Sequence, residues 1–239
     1  MRSGANPPTS CTKERKIKFK NTLFRPSRVG RTLLWPSPNP AAGRIRRLKR
    51  GLYVVVDAVR ETPPVASASG IFAEIDHYVT TDAALTVHGL IDQPVPTITV
   101  VLPTVRRPIQ LGRSVVRPVS LAAARFAKVD AYPTTVDGFA VRLASREQAV
   151  VDAVAEPGWM IHGTLLPEVL AAFSDDELAT AAEGALDRST AAAQRLGYLL
   201  DEAGREPPLA LAALRPTFAV DLRPGHPRGP YSTRWRVYG

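Results

Sequence analysis

The stretch Tyr78-Val-Thr-Thr-Asp-Ala-Ala-Leu-Thr-Val-His-Gly-Leu90 decides how the chain folds around it. Its first three residues are typical of the end of a β-strand. Thr81 or Asp82 then offers a side-chain oxygen to the free N–H groups of a helix start. Gly89 ends the short helix that follows, because glycine adopts the left-handed C-terminal conformation without a steric penalty. Local chemistry predicts a packed strand-to-helix corner and, by itself, no function.

The segments around this corner predict a sheet. Residues 97–102 form a strand, residues 107–121 a hairpin that turns near Gly112, and residues 134–143 a second hairpin on an Asp-Gly turn. Before the corner, prolines, serines and a glycine in residues 61–70 indicate a linker, and residues 71–75 a short helix.

The second half of the chain predicts helices. Ser145 and Gln148 form a capping box for a helix that ends near residue 155. Another box, Ser174 with Glu177, begins a helix that ends near residue 186. Ser189 caps a third helix, over residues 190–203, which Gly204 ends.

The 190–203 helix is amphipathic, and its two faces suggest different uses. The apolar stripe is Ala192, Leu196, Leu199, Leu200 and Ala203, and the outward positions are Gln194, Arg195, Tyr198, Asp201 and Glu202. Gly197 weakens the helix, so a second element is expected to cross closely there. Core packing explains the leucines fully but explains Arg195 and Tyr198 less well.

Charge is concentrated at one end of the chain. Residues 1–50 contain 14 Lys and Arg but one acid, Glu14, for a net charge of +13, whereas the remaining 189 residues have a net charge of −4. A basic head is expected of a nucleic-acid or acidic-partner arm, although a solvated tail has the same composition. Six prolines in residues 1–43 interrupt any helical pattern, and we expect this head to be poorly ordered.

A basic stretch leads into a valine-rich strand at residues 44–56, Arg-Ile-Arg-Arg-Leu-Lys-Arg-Gly-Leu-Tyr-Val-Val-Val. This pattern predicts a two-stranded hairpin. Its cations could contact nucleic-acid phosphates without reading the base sequence. They are Arg44, Arg46, Arg47, Lys49 and Arg50.

Four phrases of the sequence resemble one family, the AbiEi-type antitoxins. Residues 81–90 are similar to its S-A-L-x-x-H-G-L segment, and Ser145-Arg-Glu to Asp152 is similar to S-R-E-x-T-L-L-D. Residues 193–200 are similar to R-R-L-G-Y-L-L-E, and the tail over residues 220–238 is similar to L-D-P-x-x-P-x-x-G followed by x-W-x-V. The hairpin is similar to the family's winged-helix wing, so the resemblance covers about residues 44–238.

The resemblance implies the fold and the partner. The expected fold is α+β: a degenerate N-terminal winged-helix remnant, then a mixed-sheet domain with packed C-terminal helices. Its parts are a head (1–43), a wing-like hairpin (44–60) and the antitoxin domain (71–239). The segment before the wing is rich in proline and arginine, so the recognition helix of the helix-turn-helix is missing or degenerate, which puts sequence-specific DNA reading in doubt.

The implied function is that of a type IV antitoxin, a non-enzymatic protein that opposes a nucleotidyltransferase toxin encoded beside it and could repress its own operon. The expected partner contacts are Arg195, Tyr198 and Asp201 on the 190–203 helix. The alternatives are a DNA-binding transcriptional regulator without antitoxin activity and a decayed family member that merely folds.

No catalytic, cofactor or metal site is predicted. The four histidines and Cys11 do not stand at metal-ligand spacing, and no phosphate-binding glycine loop occurs. We expect His88 to hold the corner by a hydrogen bond rather than to act as a base. Glu147 and Asp152 are five residues apart and share a helix face poorly, which favours capping or partner contact over catalysis.

Two further classes of protein are not expected. A related nuclease would need a late Glu-x-Lys, but no lysine follows Lys128. The sequence contains no apolar run of about 20 residues and no secretory signal, so a cytoplasmic location is expected.

Overall fold

The computed structural model describes residues 63–239 and three strands before them. These strands are β1 (Leu23–Phe24), β2 (Ile45–Lys49) and β3 (Leu52–Val55). They form an antiparallel sheet in the order β1-β3-β2. The strand pairing predicted after residue 44 is therefore present as β2 and β3. The rest of the basic head lies outside the described residues.

A six-stranded mixed sheet forms the centre of the domain. Its strands are β4 (Tyr78–Val79), β5 (Thr97–Leu102), β6 (Ile109–Leu111), β7 (Ser114–Ser120), β8 (Ala131–Val136) and β9 (Phe139–Ala144), in the order β6-β7-β5-β4-β9-β8. The β5–β7 and β4–β9 pairs are parallel, and the other pairs are antiparallel. The predicted strand and both hairpins are confirmed. Asp137 and Gly138 have φ angles of 51° and 83°, as a tight hairpin turn requires.

Helices cover this sheet and extend beyond it. They are α1 (Pro64–Ile71), α2 (Thr81–Val87), α3 (Ala123–Phe126), α4 (Arg146–Ala155), α5 (Leu166–Ala171), α6 (Asp175–Arg188), α7 (Thr190–Glu202) and α8 (Leu209–Ala212). Helix α4 lies at the centre of the helical layer and contacts α2, α6 and α7. The predicted α+β class, with a mixed sheet and packed C-terminal helices, is confirmed. Within the described part of the chain, no helix is long and apolar enough to cross a bilayer.

The predicted strand-to-helix corner is confirmed, but its cap is different. Helix α2 follows β4 directly, and Gly89, just beyond the helix, has a φ of 73°. Thr80 occupies the N-cap position, and no side chain caps the free N–H groups of the helix. The expectation for Thr81 and Asp82 was wrong because both side chains bond to a distant loop instead. His88 holds the corner as expected, with its Nε2 2.9 Å from the Ala144 carbonyl oxygen.

The linker predicted at residues 61–70 is wrong over its described part, residues 63–70, and the short helix predicted at 71–75 is also wrong. Pro64 begins α1, where proline is tolerated because the first N–H of a helix has no partner. The small residues that suggested a linker instead let α1 pack on β5 and β9, with Ala66 and Ala68 fully buried. Ser69 lies 2.7 Å from Nε2 of His77, whose pKa is lowered by burial. Helix α1 therefore belongs to the core of the domain.

The predicted serine caps are present on three helices. The Ser145, Ser174 and Ser189 hydroxyls accept hydrogen bonds from the N3 backbone N–H groups of α4, α6 and α7. Glu177 completes the box at α6. At α4 the reciprocal contact is absent, because the Gln148 side chain bonds to Asp130 and Asp152.

The tail folds as a small sheet against α7. Its strands are β10 (Val220–Asp221), β11 (Tyr231–Ser232) and β12 (Val237–Tyr238), in the order β10-β12-β11. The Trp235 ring, 2% exposed, lies so close to Gly197 that a Cβ at this position would overlap it. The predicted close approach at Gly197 is thus confirmed, and an indole ring makes it.

Candidate functional site

The first polar cluster fastens the 157–165 loop to the corner. The Asp82 carboxylate accepts hydrogen bonds from the backbone N–H groups of Ile161 and His162, both at 2.8 Å. Nδ1 of His162 also lies 2.8 Å from Asp82. Both Asp82 carboxylate oxygens thus have partners within the protein, and the side chain is only 2% exposed. This geometry indicates a structural anchor.

Arg117 completes this anchor from β7. Its guanidinium donates to the Gly158 carbonyl at 2.8 Å, to the Thr99 hydroxyl at 3.1 Å and to the Trp159 carbonyl. Burial lowers the pKa of Arg117, and the nearby Asp82 carboxylate opposes this effect. Charges of opposite sign thus hold the loop from two sides.

The second cluster surrounds Asp152 in the centre of α4. The carboxylate is fully buried and accepts hydrogen bonds from the Tyr78 hydroxyl at 3.0 Å, from the Thr80 hydroxyl at 2.8 Å and from the Gln148 amide at 3.0 Å. Arg188 of α6 lies 3.4 Å away and is also buried. The cluster therefore joins the sheet, α4 and α6.

Burial raises the pKa of Asp152, while Arg188 and the three hydrogen-bond donors oppose this shift. Burial and the adjacent carboxylate raise the pKa of Tyr78 well above its usual value. The expectation that Asp152 would serve capping or partner contact is wrong, because its side chain is fully buried and bonds to other side chains rather than to free backbone N–H groups at a helix start. Glu147 is not among its partners.

The structure corrects the predicted orientation of two residues on α7. Gln194 is fully buried, and its amide donates to the Phe218 and Trp235 carbonyls at 2.9 and 2.8 Å. Arg195 is 8% exposed and donates to the Asp221 carbonyl at 2.9 Å and to the Val154 carbonyl at 3.0 Å. Both side chains tie α7 to the tail, and Arg195 also ties it to the end of α4.

Arg195 was expected on the exposed face because charged side chains usually lie there. It is buried here because the carbonyls at the C-terminal end of α4 attract a cation. Burial lowers the pKa of Arg195. Arg195 also lines a groove of about 190 Å³ in which Arg223 and His226 stand exposed.

Tyr198 and Asp201 lie where α7 meets solvent. Tyr198 is half-buried, and burial together with Glu202 raises its pKa. The Asp201 carboxylate accepts hydrogen bonds from Nε1 of Trp235 at 2.7 Å and from Arg234 at 3.0 Å. The Asp201 side chain nevertheless remains 35% exposed. These two predicted contact residues, unlike Arg195, are open to a partner.

The predicted phosphate contacts lie in the N-terminal part of the chain. Arg46, Arg47 and Lys49 are placed in β2 opposite Val54, Tyr53 and Leu52 of β3. Arg44 and Arg50 lie outside the described residues.

Several residues that organise these clusters had no signal in the sequence. Thr80, Thr99, Arg117 and Arg188 act through partners 18 to 72 positions away, so no local motif marks them. Within the described residues, no three or more His, Cys, Asp or Glu side chains come together in a group that could hold a metal ion. The two carboxylates at the centres of the polar clusters, Asp82 and Asp152, both accept hydrogen bonds from within the protein.

A family model described as the AbiEi antitoxin C-terminal domain matches residues 78–202, which is more than half of the chain. The chain belongs to the AbiEi antitoxin family. The match begins at the first residue of β4 and ends at the last residue of α7, so it contains both polar clusters and the predicted contact residues on α7.

One solved structure adds information on the fold of this AbiEi chain. The chain is similar to the crystal structure of the RV2827C protein from Mycobacterium tuberculosis, with a TM-score of 0.60 and 16% sequence identity. The similarity covers 81% of this chain and 74% of that chain. Comparison with curated proteins gives no match. At this identity the similarity supports the α+β architecture alone.

The Asp152 cluster predicts a large effect on stability. We expect Asp152→Asn to lower the free energy of unfolding by about 3–5 kcal/mol, because it leaves the buried Arg188 cation without its counter-charge. Urea denaturation followed by circular dichroism measures this change. Asp187→Asn is the matched control: its pair with Lys128 is 61% and 66% exposed, and we expect a change within about 0.5 kcal/mol. Equal losses in the two variants would contradict the role of Asp152.

Proposed function

We propose that this AbiEi family member opposes a nucleotidyltransferase-type toxin encoded by the neighbouring gene, and that both proteins act in the cytoplasm as a type IV pair. The observation that carries the proposal is the family match over residues 78–202. The engagement of the Asp82 and Asp152 carboxylates in internal hydrogen bonds supports a non-enzymatic role, because these groups are used to fasten elements together.

The proposed contact surface is the exposed end of α7. Tyr198 presents an amphipathic ring at the surface, a residue type that is enriched in the energetic centres of interfaces. Asp201 supplies a carboxylate beside it, and the hydrogen bond from Trp235 fixes its orientation. A fixed orientation reduces the entropy that is lost when a partner binds.

Arg195 supports this surface through buried hydrogen bonds rather than by direct contact with a partner. Its bonds to Asp221 and Val154 hold α7 at a set position against the tail and α4. We therefore propose a positioning role for Arg195, and contact roles for Tyr198 and Asp201.

A growth-rescue assay tests the function and the surface together. The neighbouring gene and this gene are placed under separate inducible promoters, and colony formation is scored. We expect the neighbour to be toxic alone and harmless with the wild-type chain, and Tyr198→Ser to reduce rescue at least about tenfold, since aromatic contacts at interface centres are worth about 2 kcal/mol or more. A neighbour that is harmless alone, or toxicity that the wild-type chain leaves untouched, would refute the antitoxin proposal.

Tyr132→Ser is the matched control for the α7 surface. Tyr132 lies on the edge strand β8, is 42% exposed and is replaced by the same residue. We expect this variant to rescue growth as the wild type does. Thermal melts of both variants verify that each is folded. If both rescue equally, the surface is misplaced although the antitoxin function stands.

A second candidate function is repression of the protein's own operon. The pairing of β2 with β3 in an antiparallel hairpin and the basic composition around it favour this role. The contacts would be to phosphates and therefore independent of base sequence.

Replacing Arg46, Arg47 and Lys49 by alanine tests this second function. We expect the variant to lose affinity for operator DNA and for unrelated duplex DNA by the same factor, and the slope of log K against log salt to fall by about 2.7. Fluorescence anisotropy over a salt series measures both quantities. Unchanged DNA affinity in this variant would show that the β2–β3 hairpin does not bind DNA. We expect the variant to rescue growth as the wild type does.

A further inference from the structure

A groove near the C-terminus is lined by three arginines. Arg215, Arg234 and Arg236 surround a space of about 240 Å³, together with Pro216 and the Trp235 side of the tail. All three arginines are exposed. A guanidinium carries a fork of N–H donors that matches the oxygens of a phosphate group. The groove therefore has the chemistry of an anion site.

Two of these three charges have no counter-charge among residues 63–239. Arg234 pairs with Asp201 at 3.0 Å. Arg215 donates to the carbonyls of Ala212 and Leu214, at 3.1 and 3.0 Å. Arg236 donates to the Thr217 carbonyl at 3.0 Å.

Carbonyl oxygens satisfy N–H donors and orient the guanidinium, but they do not neutralise a full positive charge. Among the ion pairs within residues 63–239, neither Arg215 nor Arg236 takes part. Both side chains are thus positioned and still available to an anion.

A pair of tyrosine rings, tilted by 41° to each other, lies on the same small sheet. The rings of Tyr231 and Tyr238 have centroids 4.7 Å apart, and the Arg228 guanidinium lies 4.6 Å from the centroid of Tyr238. Tyr231 remains 43% exposed. Exposed aromatic rings beside arginines are the means by which proteins bind unpaired bases. An acidic protein surface would use the arginines but would have no need of the exposed tyrosine ring.

We propose that this C-terminal surface binds single-stranded nucleic acid, with phosphates in the arginine groove and a base stacked on Tyr231. The proposal goes beyond the antitoxin role and uses different residues. Asp201 borders the groove through Arg234, so it and Arg234 are left unchanged in the test.

The experiment measures binding of the full chain to fluorescein-labelled oligothymidylate of about 20 nucleotides by anisotropy, between about 50 and 200 mM salt. The variant Arg215→Gln/Arg236→Gln removes two charges but keeps side-chain N–H donors. We expect the slope of log K against log salt to fall by about 1.4, because each phosphate contact on a single strand contributes about 0.7.

Arg106→Gln/Arg107→Gln is the matched control, because both residues are exposed between β5 and β6 and the charge change is identical. We expect an unchanged slope. An equal fall in both variants, or no fall in the groove variant, overturns the proposal. Melting temperatures equal to that of the wild type confirm that both variants are folded.

Tyr231→Ser separates nucleic acid from other polyanions. We expect at least about fivefold weaker binding with an unchanged salt slope, because stacking carries no charge. Poly-L-glutamate at equal charge is expected to compete weakly; full displacement by it, or wild-type affinity of Tyr231→Ser, overturns the assignment. Growth rescue by the groove variant is expected to equal that of the wild type, so failure of either proposal can be recognised separately.

Discussion

The buried carboxylate of Asp152 is the constraint on which the arrangement of the domain depends. It draws together Tyr78 and Thr80 from the strand-to-helix corner, Gln148 from its own helix and Arg188 from α6. A carboxylate in such surroundings is stable only if hydrogen bonds and a cation replace the water it has lost. The sheet, α4 and α6 must therefore meet at one relative position. Alternative packings of these apolar surfaces would leave a charge unpaired.

The contacts of Asp82, Arg117 and Arg195 fix the loop and the tail relative to the sheet and α4. Asp82 and Arg117 fix the loop after α4, and Arg195 fixes α7 between the end of α4 and β10. Trp235 then packs on Gly197 and donates a hydrogen bond to Asp201. A chain of specific polar contacts thus leads from the centre of the sheet to the exposed end of α7. These contacts hold the proposed partner surface in a fixed position.

The features predicted well from the sequence are those whose causes are local. Serine caps, the Asp137-Gly138 turn and the glycine after α2 each act within four residues, so the residue types reveal them. The prediction of a linker was wrong because small residues suit a flexible segment and a tightly packed helix equally well. Only packing against the sheet beneath α1 decides between the two. The predicted exposure of Arg195 was wrong because its hydrogen-bond acceptors lie 26 and 41 positions away in the sequence.

Tertiary contacts also explain several residues of the family phrases. His88 binds the Ala144 carbonyl, Asp152 organises the buried cluster, and Gly197 makes room for an indole ring. The resemblance therefore identified residues that hold the AbiEi fold together more than residues that meet a partner. The partner-facing residues, Tyr198 and Asp201, remain a proposal that rests on exposure and orientation.

The central claim is that the domain over residues 63–239 itself acts as the antitoxin. Growth rescue by a chain that lacks residues 1–62 tests this most directly, with circular dichroism and a cooperative urea transition to verify folding. We predict full rescue, because the family match and the proposed contacts all lie after residue 62. A folded, expressed truncation that fails to rescue, beside a full chain that succeeds, would contradict the account and move neutralisation to the basic head.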